Sequence, residues 1–187
     1  MPNNIRQQPI FISTGDPETV NDTTLQYPGQ LGMRATVSQP TRTAQGVEAG
    51  RAKTYQLVQT DSTMTVAPFP GAVALRASST NPYLVTTNVT NRNGVMGVFQ
   101  NSITPGNYGF IQVEGPASVK IIDSSMGALA IGDAIIASST NAKADRVAIG
   151  TAPTHMILGR VQGPTLTTSP AEATVVVDLA VLDGYNV

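Results

Sequence analysis

The chain has 187 residues, of which 41% are hydrophobic, 12% charged and 5% aromatic, and its formal net charge is −1. About half the usual share of charge, with 11 Lys+Arg set against 12 Asp+Glu, excludes a basic nucleic-acid-binding surface, while so large an apolar fraction excludes a disordered chain. No Cys and a single His exclude a disulfide scaffold, a thiol nucleophile and a metal site of the ordinary Cys/His kind.

Residues 1–52 come first and keep neither a helix nor a strand period. Turn formers crowd this segment: Gly15-Asp16-Pro17, Asn21-Asp22, Tyr27-Pro28-Gly29 and Gln39-Pro40. Its large apolar residues fall in three groups: Ile5, Ile10, Phe11 and Ile12, then Leu25 and Tyr27, then Leu31 and Met33. Arg6, Arg34, Arg42 and Arg51 balance Asp16, Glu18, Asp22 and Glu48. A neutral segment of this kind cannot fold on its own, because ordering costs roughly 1–2 kcal/mol of backbone entropy per residue. It is expected to be an extended arm outside the core, ordering on a partner whose shallow pockets take Ile10, Phe11, Ile12, Leu25, Tyr27 and Leu31. Arg34, Arg42 and Arg51 suit carboxylates on that partner.

From Lys53 the pattern changes to short apolar runs between Gly- and Pro-rich turns. Nine strands are expected: Tyr55–Val58, Ala72–Leu75, Tyr83–Thr90, Val95–Gln100, Tyr108–Val113, Val119–Ile122, Ala134–Ala137, Met156–Val161 and Thr174–Leu182. This rhythm predicts an all-β fold, a single small antiparallel β-barrel or sandwich over 53–187. The last strand shows the clearest alternation, with Val175, Val177, Leu179 and Val181 on one face. No apolar run has the length of a signal peptide's core or a membrane helix; the most apolar stretch, Met126–Ala137, is interrupted by Asp133. A soluble protein made in the cytoplasm is expected.

Catalytic chemistry finds little to stand on. His155 is the one imidazole, and no Gly-x-Ser-x-Gly elbow offers it a nucleophile. Asp16, Glu18 and Asp22 are the densest acidic group, without the spacing of a calcium loop. Asp123 and Asp133 stand in the positions that turn chemistry alone explains, and the chain has no Trp to line a sugar cleft. No catalytic residue, metal ligand or cofactor site is expected.

Several weak motifs occur in one order. Tyr55-Gln56-Leu57-Val58-Gln59 is followed by Gly94-Val95-Met96-Gly97-Val98, then by Pro105-Gly106-Asn107-Tyr108-Gly109-Phe110-Ile111-Gln112-Val113-Glu114-Gly115 and Val119-Lys120-Ile121. Gly132-Asp133-Ala134-Ile135-Ile136-Ala137-Ser138, Ile157-Leu158-Gly159-Arg160-Val161 and Ala171-Glu172-Ala173-Thr174-Val175-Val176-Val177 close the series. In this order, over about Lys53 to Leu182, the chain resembles the small β-barrel decoration, or cement, proteins that coat the heads of tailed bacteriophages. The resemblance implies a virion protein on the outer capsid surface, with the major capsid protein as partner and no enzymatic activity. It also implies self-association, as a homotrimer on threefold positions or a dimer on twofold ones. The competing expectation is a carbohydrate-binding head-fibre or spike module, which the five Tyr and absent Trp disfavour.

Overall fold

The computed structural model of the protein describes residues 17–24, 30–37, 52–90, 92–122, 129–147, 150–165 and 172–180. Apart from one 3-10 turn, Pro17–Thr19, the regular structure is all strand: β1 (Arg34–Val37), β2 (Lys53–Thr60), β3 (Val73–Arg76), β4 (Leu84–Thr86), β5 (Val95–Phe99), β6 (Tyr108–Ile122), β7 (Ala134–Ala137), β8 (Ala144–Arg146), β9 (Ile157–Gly163) and β10 (Glu172–Ala180). The all-β class and the barrel closure expected from the strand rhythm are observed, with two barrels where a single antiparallel one is expected and with a parallel pairing in each.

Five strands close a barrel. β2 pairs parallel with β4, β4 antiparallel with β3, β3 with β5, and β5 with the first half of β6, which returns antiparallel to β2. Val58, Ala74, Val85, Phe99, Ile111 and Val113 fill it, each at most 2% exposed. β6 then runs on, and its second half opens another ring of five. β6 pairs with β10, β10 with β9, β9 with β7, and β7 with β8; β8 returns parallel to β6 at Ile121–Ala144. Val119, Ile135, Ala144, Val161, Val177 and Leu179 fill this second barrel, again at most 2% exposed.

The two barrels are the same structure twice. In each, the first strand lies parallel to the third and antiparallel to the fifth, and the second lies between the third and fourth. The registers agree as well. Val73–Val98, Ala74–Gly97 and Leu75–Val95 in the first barrel correspond to Ala134–Arg160, Ile135–Gly159 and Ile136–Ile157 in the second, with a register shift at the same step. The turn before the second strand repeats too. Gly71 N–H donates to Phe99 O at 2.7 Å and Phe99 N–H to Ala72 O at 2.9 Å; Gly132 N–H donates to Val161 O at 2.8 Å and Val161 N–H to Asp133 O at 2.9 Å. Both glycines have a left-handed φ, +89° and +92°, which a turn of this shape requires. Filling is shared differently: Ala74, Val85 and Phe99 in one barrel stand where Ile135, Ala144 and Val161 stand in the other. Large and small residues exchange places while the interior stays closed.

β6 is one strand where the sequence predicts two, over 108–113 and 119–122. Gly115-Pro116 resembles a turn but serves as the crossing point between barrels. Opposite it the β2–β6 register shifts between Thr54 and Tyr55, and a side chain at Gly115 (φ +85°) would meet Ala52 O at 2.3 Å. The Gln112 amide, fully buried, bridges the crossing by donating to Glu114 O and Pro116 O. Three further differences are local. The expected strand over 83–90 is only three residues long, because Thr87 turns away to bond Val66 O. β1 and β8 were not expected: β1 lies within the assigned arm, and Ala144-Asp145-Arg146 has no apolar run.

The barrels are joined by more than β6. In the first, Gln59 N–H bonds Tyr83 O directly at 3.0 Å. Their counterparts in the second, Lys120 and Ala142, are held apart by Gly71–Val73: Lys120 N–H donates to Gly71 O at 2.9 Å and Val73 N–H to Ala142 O at 3.0 Å. Ala142 N–H donates to Thr87 O, the Asn141 amide joins Thr65 and Val89, and the Arg92 guanidinium grips Ala137 O twice, at 2.8 and 3.0 Å. Val73, Leu75, Val95 and Val98, on the outside of the first barrel, are buried in the cluster that fills the second.

Candidate partner-binding surface

Of the residues expected to meet a partner, Ile10, Phe11, Ile12, Leu25, Tyr27, Arg42 and Arg51 lie outside the described residues. Leu31 and Arg34 are described. Leu31 is half-buried in a turn, and Arg34 is exposed at the start of β1, opposite Gln56.

The stretches 17–24 and 30–37 correct the expectation that residues 1–52 stand wholly outside the core. β1 pairs antiparallel with β2 from Arg34–Gln56 to Val37–Lys53. Ala35, 3% exposed, packs with Tyr55, Leu57 and Phe110, and Val20, Met33 and Val37 close the cluster. The reason is a free edge: β2 contacts β4 only at Gln59–Leu84 and Thr60–Val85, so its first half needs another strand to satisfy its backbone. Gly32 N–H donates to Leu57 O at 2.8 Å and Leu57 N–H to Met33 O at 2.9 Å, extending this pairing toward the turn.

The 17–24 stretch is pinned by polar contacts. Tyr55 Oη donates to Glu18 Oε1, and the buried Lys53 ammonium lies 3.8 Å from the same oxygen. Asp22 and Tyr108 exchange backbone hydrogen bonds at 2.9 and 2.8 Å. Asn21 Oδ1 accepts from Thr104 N–H at 3.1 Å and from the Asn107 amide at 2.9 Å. The Glu18 carboxylate is thereby engaged by Tyr55 and Lys53, and Asp22 is tied to the barrel through its backbone. The sequence marks these residues only as turn formers; nothing in a single chain's pattern says that Asn21 reaches a loop 83 residues away.

The other candidates are accounted for locally. His155 Nδ1 and Thr154 Oγ1 are 2.8 Å apart. Asp133 accepts from Ala130 N–H at 2.9 Å, closing its own turn, and lies 3.4 Å from the Arg146 guanidinium. Asp123, its sequence neighbour in the carboxylate pair, lies outside the described residues. Among the described residues no three His, Asp or Glu side chains converge as metal ligands would, and no helix is long and apolar enough to cross a membrane.

No known family model matches this sequence, and a search of the curated proteins finds no match.

Proposed function

We propose that the protein is a structural component of a tailed-phage head, a decoration protein that binds the outer capsid surface and bridges neighbouring major capsid subunits. The observation that carries the proposal is mechanical. Two barrels share one 15-residue strand, and β6 is flanked in register by six residues of β2 and nine of β10. Force applied at opposite ends of such a body loads many backbone hydrogen bonds at once, each of which contributes net about 0.5–1.5 kcal/mol. A tie between capsid subunits needs that property. The low charge supports adhesion that salt does not weaken.

Add-back to heads stripped of their decoration tests this reading. The protein is expected to rebind at a fixed ratio to the major capsid subunit and to raise the temperature at which heads release DNA. Failure to bind heads, or binding to glycans of the host surface instead, would overturn it. The same assay performed on a chain lacking residues 1–16 asks whether Ile10, Phe11 and Ile12 belong to the anchor; at least tenfold weaker decoration, about 1.4 kcal/mol, is the expected result.

A further inference from the structure

Asparagine side chains hold many of this molecule's loops, and one of them holds nothing. Asn81 Oδ1 accepts from Tyr83 N–H at 3.1 Å, Asn88 Oδ1 from Thr65 N–H at 3.0 Å and Asn141 Oδ1 from Val89 N–H at 2.9 Å. The Asn101 amide donates to Val20 O at 3.2 Å, and the Asn107 amide to Asn21 Oδ1 at 2.9 Å. Among the described asparagines, Asn93 is the one whose side chain bonds no described residue. It is exposed in the turn that leads into β5, and Gly94 follows it. The others precede residues that carry a side chain: Asp22, Pro82, Val89, Ser102, Tyr108 and Ala142.

We propose that Asn93-Gly94 is a self-modification site, at which Asn93 deamidates through a cyclic imide and thereby loosens the grip between the two barrels. Glycine has no Cβ to keep its main-chain nitrogen away from the preceding side chain, and an amide held by no partner is free to rotate onto that nitrogen. The Gly94 nitrogen gives up its proton and bonds to Asn93 Cγ; the Cγ–Nδ2 bond breaks, and ammonia leaves with that proton. Solvent water, which the exposed turn admits, then opens the ring. Opening at Cγ yields aspartate. Opening at the main-chain carbonyl carbon yields isoaspartate, with the chain rerouted through Cβ and Cγ. Nothing is oxidised or reduced, and water is the co-reactant. The neighbours give the step its consequence. Arg92, one residue before, holds Ala137 O of the second barrel with two nitrogens at 2.8 and 3.0 Å. Gly94 O, one residue after, accepts from Arg76 N–H at 2.7 Å and ties the turn to β3. Isoaspartate adds one main-chain atom between these two anchors, so both cannot keep their present geometry. Either product also places a carboxylate beside Arg92, and a charged acceptor outcompetes a neutral carbonyl for a guanidinium. The inference is independent of what the protein binds.

Ageing the full chain at mildly alkaline pH tests it, because alkali favours loss of the Gly94 proton. Peptic digestion at acid pH followed by mass spectrometry is expected to show the amide-to-acid mass gain at Asn93 at least tenfold faster than at any of the hydrogen-bonded asparagines. The product should be a mixture of aspartate and isoaspartate, the latter identified by a methyltransferase specific for it. Gly94→Ala should slow the gain at least tenfold. Aged wild type should melt below fresh protein, whereas aged Asn93→Gln should melt as it does when fresh. An Asn93 that stays unmodified, an equally fast gain at the hydrogen-bonded asparagines, or a Gly94→Ala chain that deamidates as wild type does would each overturn the site. Complete deamidation with an unchanged melting temperature, or an equal loss in aged Asn93→Gln, would overturn its link to the Arg92 grip.

Discussion

Single atoms decide where the two barrels tolerate change. Gly97 and Gly159 occupy the same position, and each lies under the carbonyl oxygen of the neighbouring fifth strand. A Cβ would stand 2.5 Å from Gln112 O in one barrel and 2.3 Å from Asp178 O in the other. Neither backbone can retreat without opening a ladder, so Gly97→Ala and Gly159→Ala are each expected to cost about 1–3 kcal/mol by denaturant titration. If either variant proves as stable as wild type, the close approach is not real at that site. β10 gives a second residue-level test. Val177 is fully buried while Val176, its neighbour, is half-buried on the outer face. Val177→Asp puts an unpaired carboxylate into the barrel and is expected to prevent folding, since such a charge costs several kcal/mol out of a total of about 5–15. Val176→Thr should melt within a few degrees of wild type; equal behaviour of the two variants would reverse the inward and outward assignment.

At the scale of elements, what was legible in the sequence follows from side-chain chemistry. Strands rich in β-branched and aromatic residues, such as Tyr55–Val58, Val95–Phe99 and Val175–Leu179, are legible because their residues favour a pleated, buried surface. β8 is not, because it is recruited by β6 and β7 rather than by its own residues. β1 is not, because Ala35 is small and its partners lie on strands far along the chain. β6 reads as two strands in the sequence because Gly115-Pro116 carries a turn's residues at a crossing. Ala74-Leu75-Arg76-Ala77-Ser78-Ser79-Thr80-Asn81 and Ala134-Ile135-Ile136-Ala137-Ser138-Ser139-Thr140-Asn141 share six residues of eight, but one residue out of the structural register, in which Ala74 corresponds to Ile135, so this likeness does not reveal the duplication. In both, a serine Oγ accepts from the threonine N–H two residues on, at 3.1 and 2.9 Å. In register, the exchange of large for small interior residues erased the likeness. The candidate surface was legible only as a segment, since the contacts that fix Glu18, Asn21 and Ala35 are long-range. β10 also carries a pH-sensitive contact, at Glu172. A hydrogen bond from Lys143 at 3.0 Å, the charge of Lys143 and, beyond it, that of Lys120 at 4.0 Å hold its carboxyl below the ordinary carboxylate range, against a smaller opposing effect of desolvation. A pKa lowered by folding adds stability above its unfolded value and loses it as the pH falls through the folded value. Wild type is therefore expected to exceed Glu172→Gln in melting temperature at neutral pH and to converge with it on acidification. A gap that persists at low pH would assign the difference to something other than this charge.

For the molecule as a whole, the shared strand makes a prediction about cooperativity. Two barrels of about sixty residues each, joined by a linker, would unfold separately, and small domains of that size are only marginally stable alone. Here the boundary is absent: β6 supplies the fifth strand of one barrel and the first of the other, and Val73, Leu75, Val95 and Val98 bury their outer faces in the second barrel's cluster. Unfolding either barrel strips β6 of half its partners and exposes those four side chains, each worth about 1.5–3 kcal/mol of burial. Neither half can survive a loss of that size. The described body is therefore expected to unfold in one transition, with calorimetric and van't Hoff enthalpies equal. The decisive comparison uses one mild truncation at equivalent interior positions, Val58→Ala in the first barrel and Val119→Ala in the second. Each should lower the same single midpoint and leave no residual step, whether followed by far-ultraviolet circular dichroism or by amide exchange of either barrel's central strands. If Val119→Ala instead produces two transitions, with the first barrel's amides still protected after the second barrel has opened, the shared strand is a hinge between independent units. A hinge of that kind would also remove the mechanical support for a capsid tie.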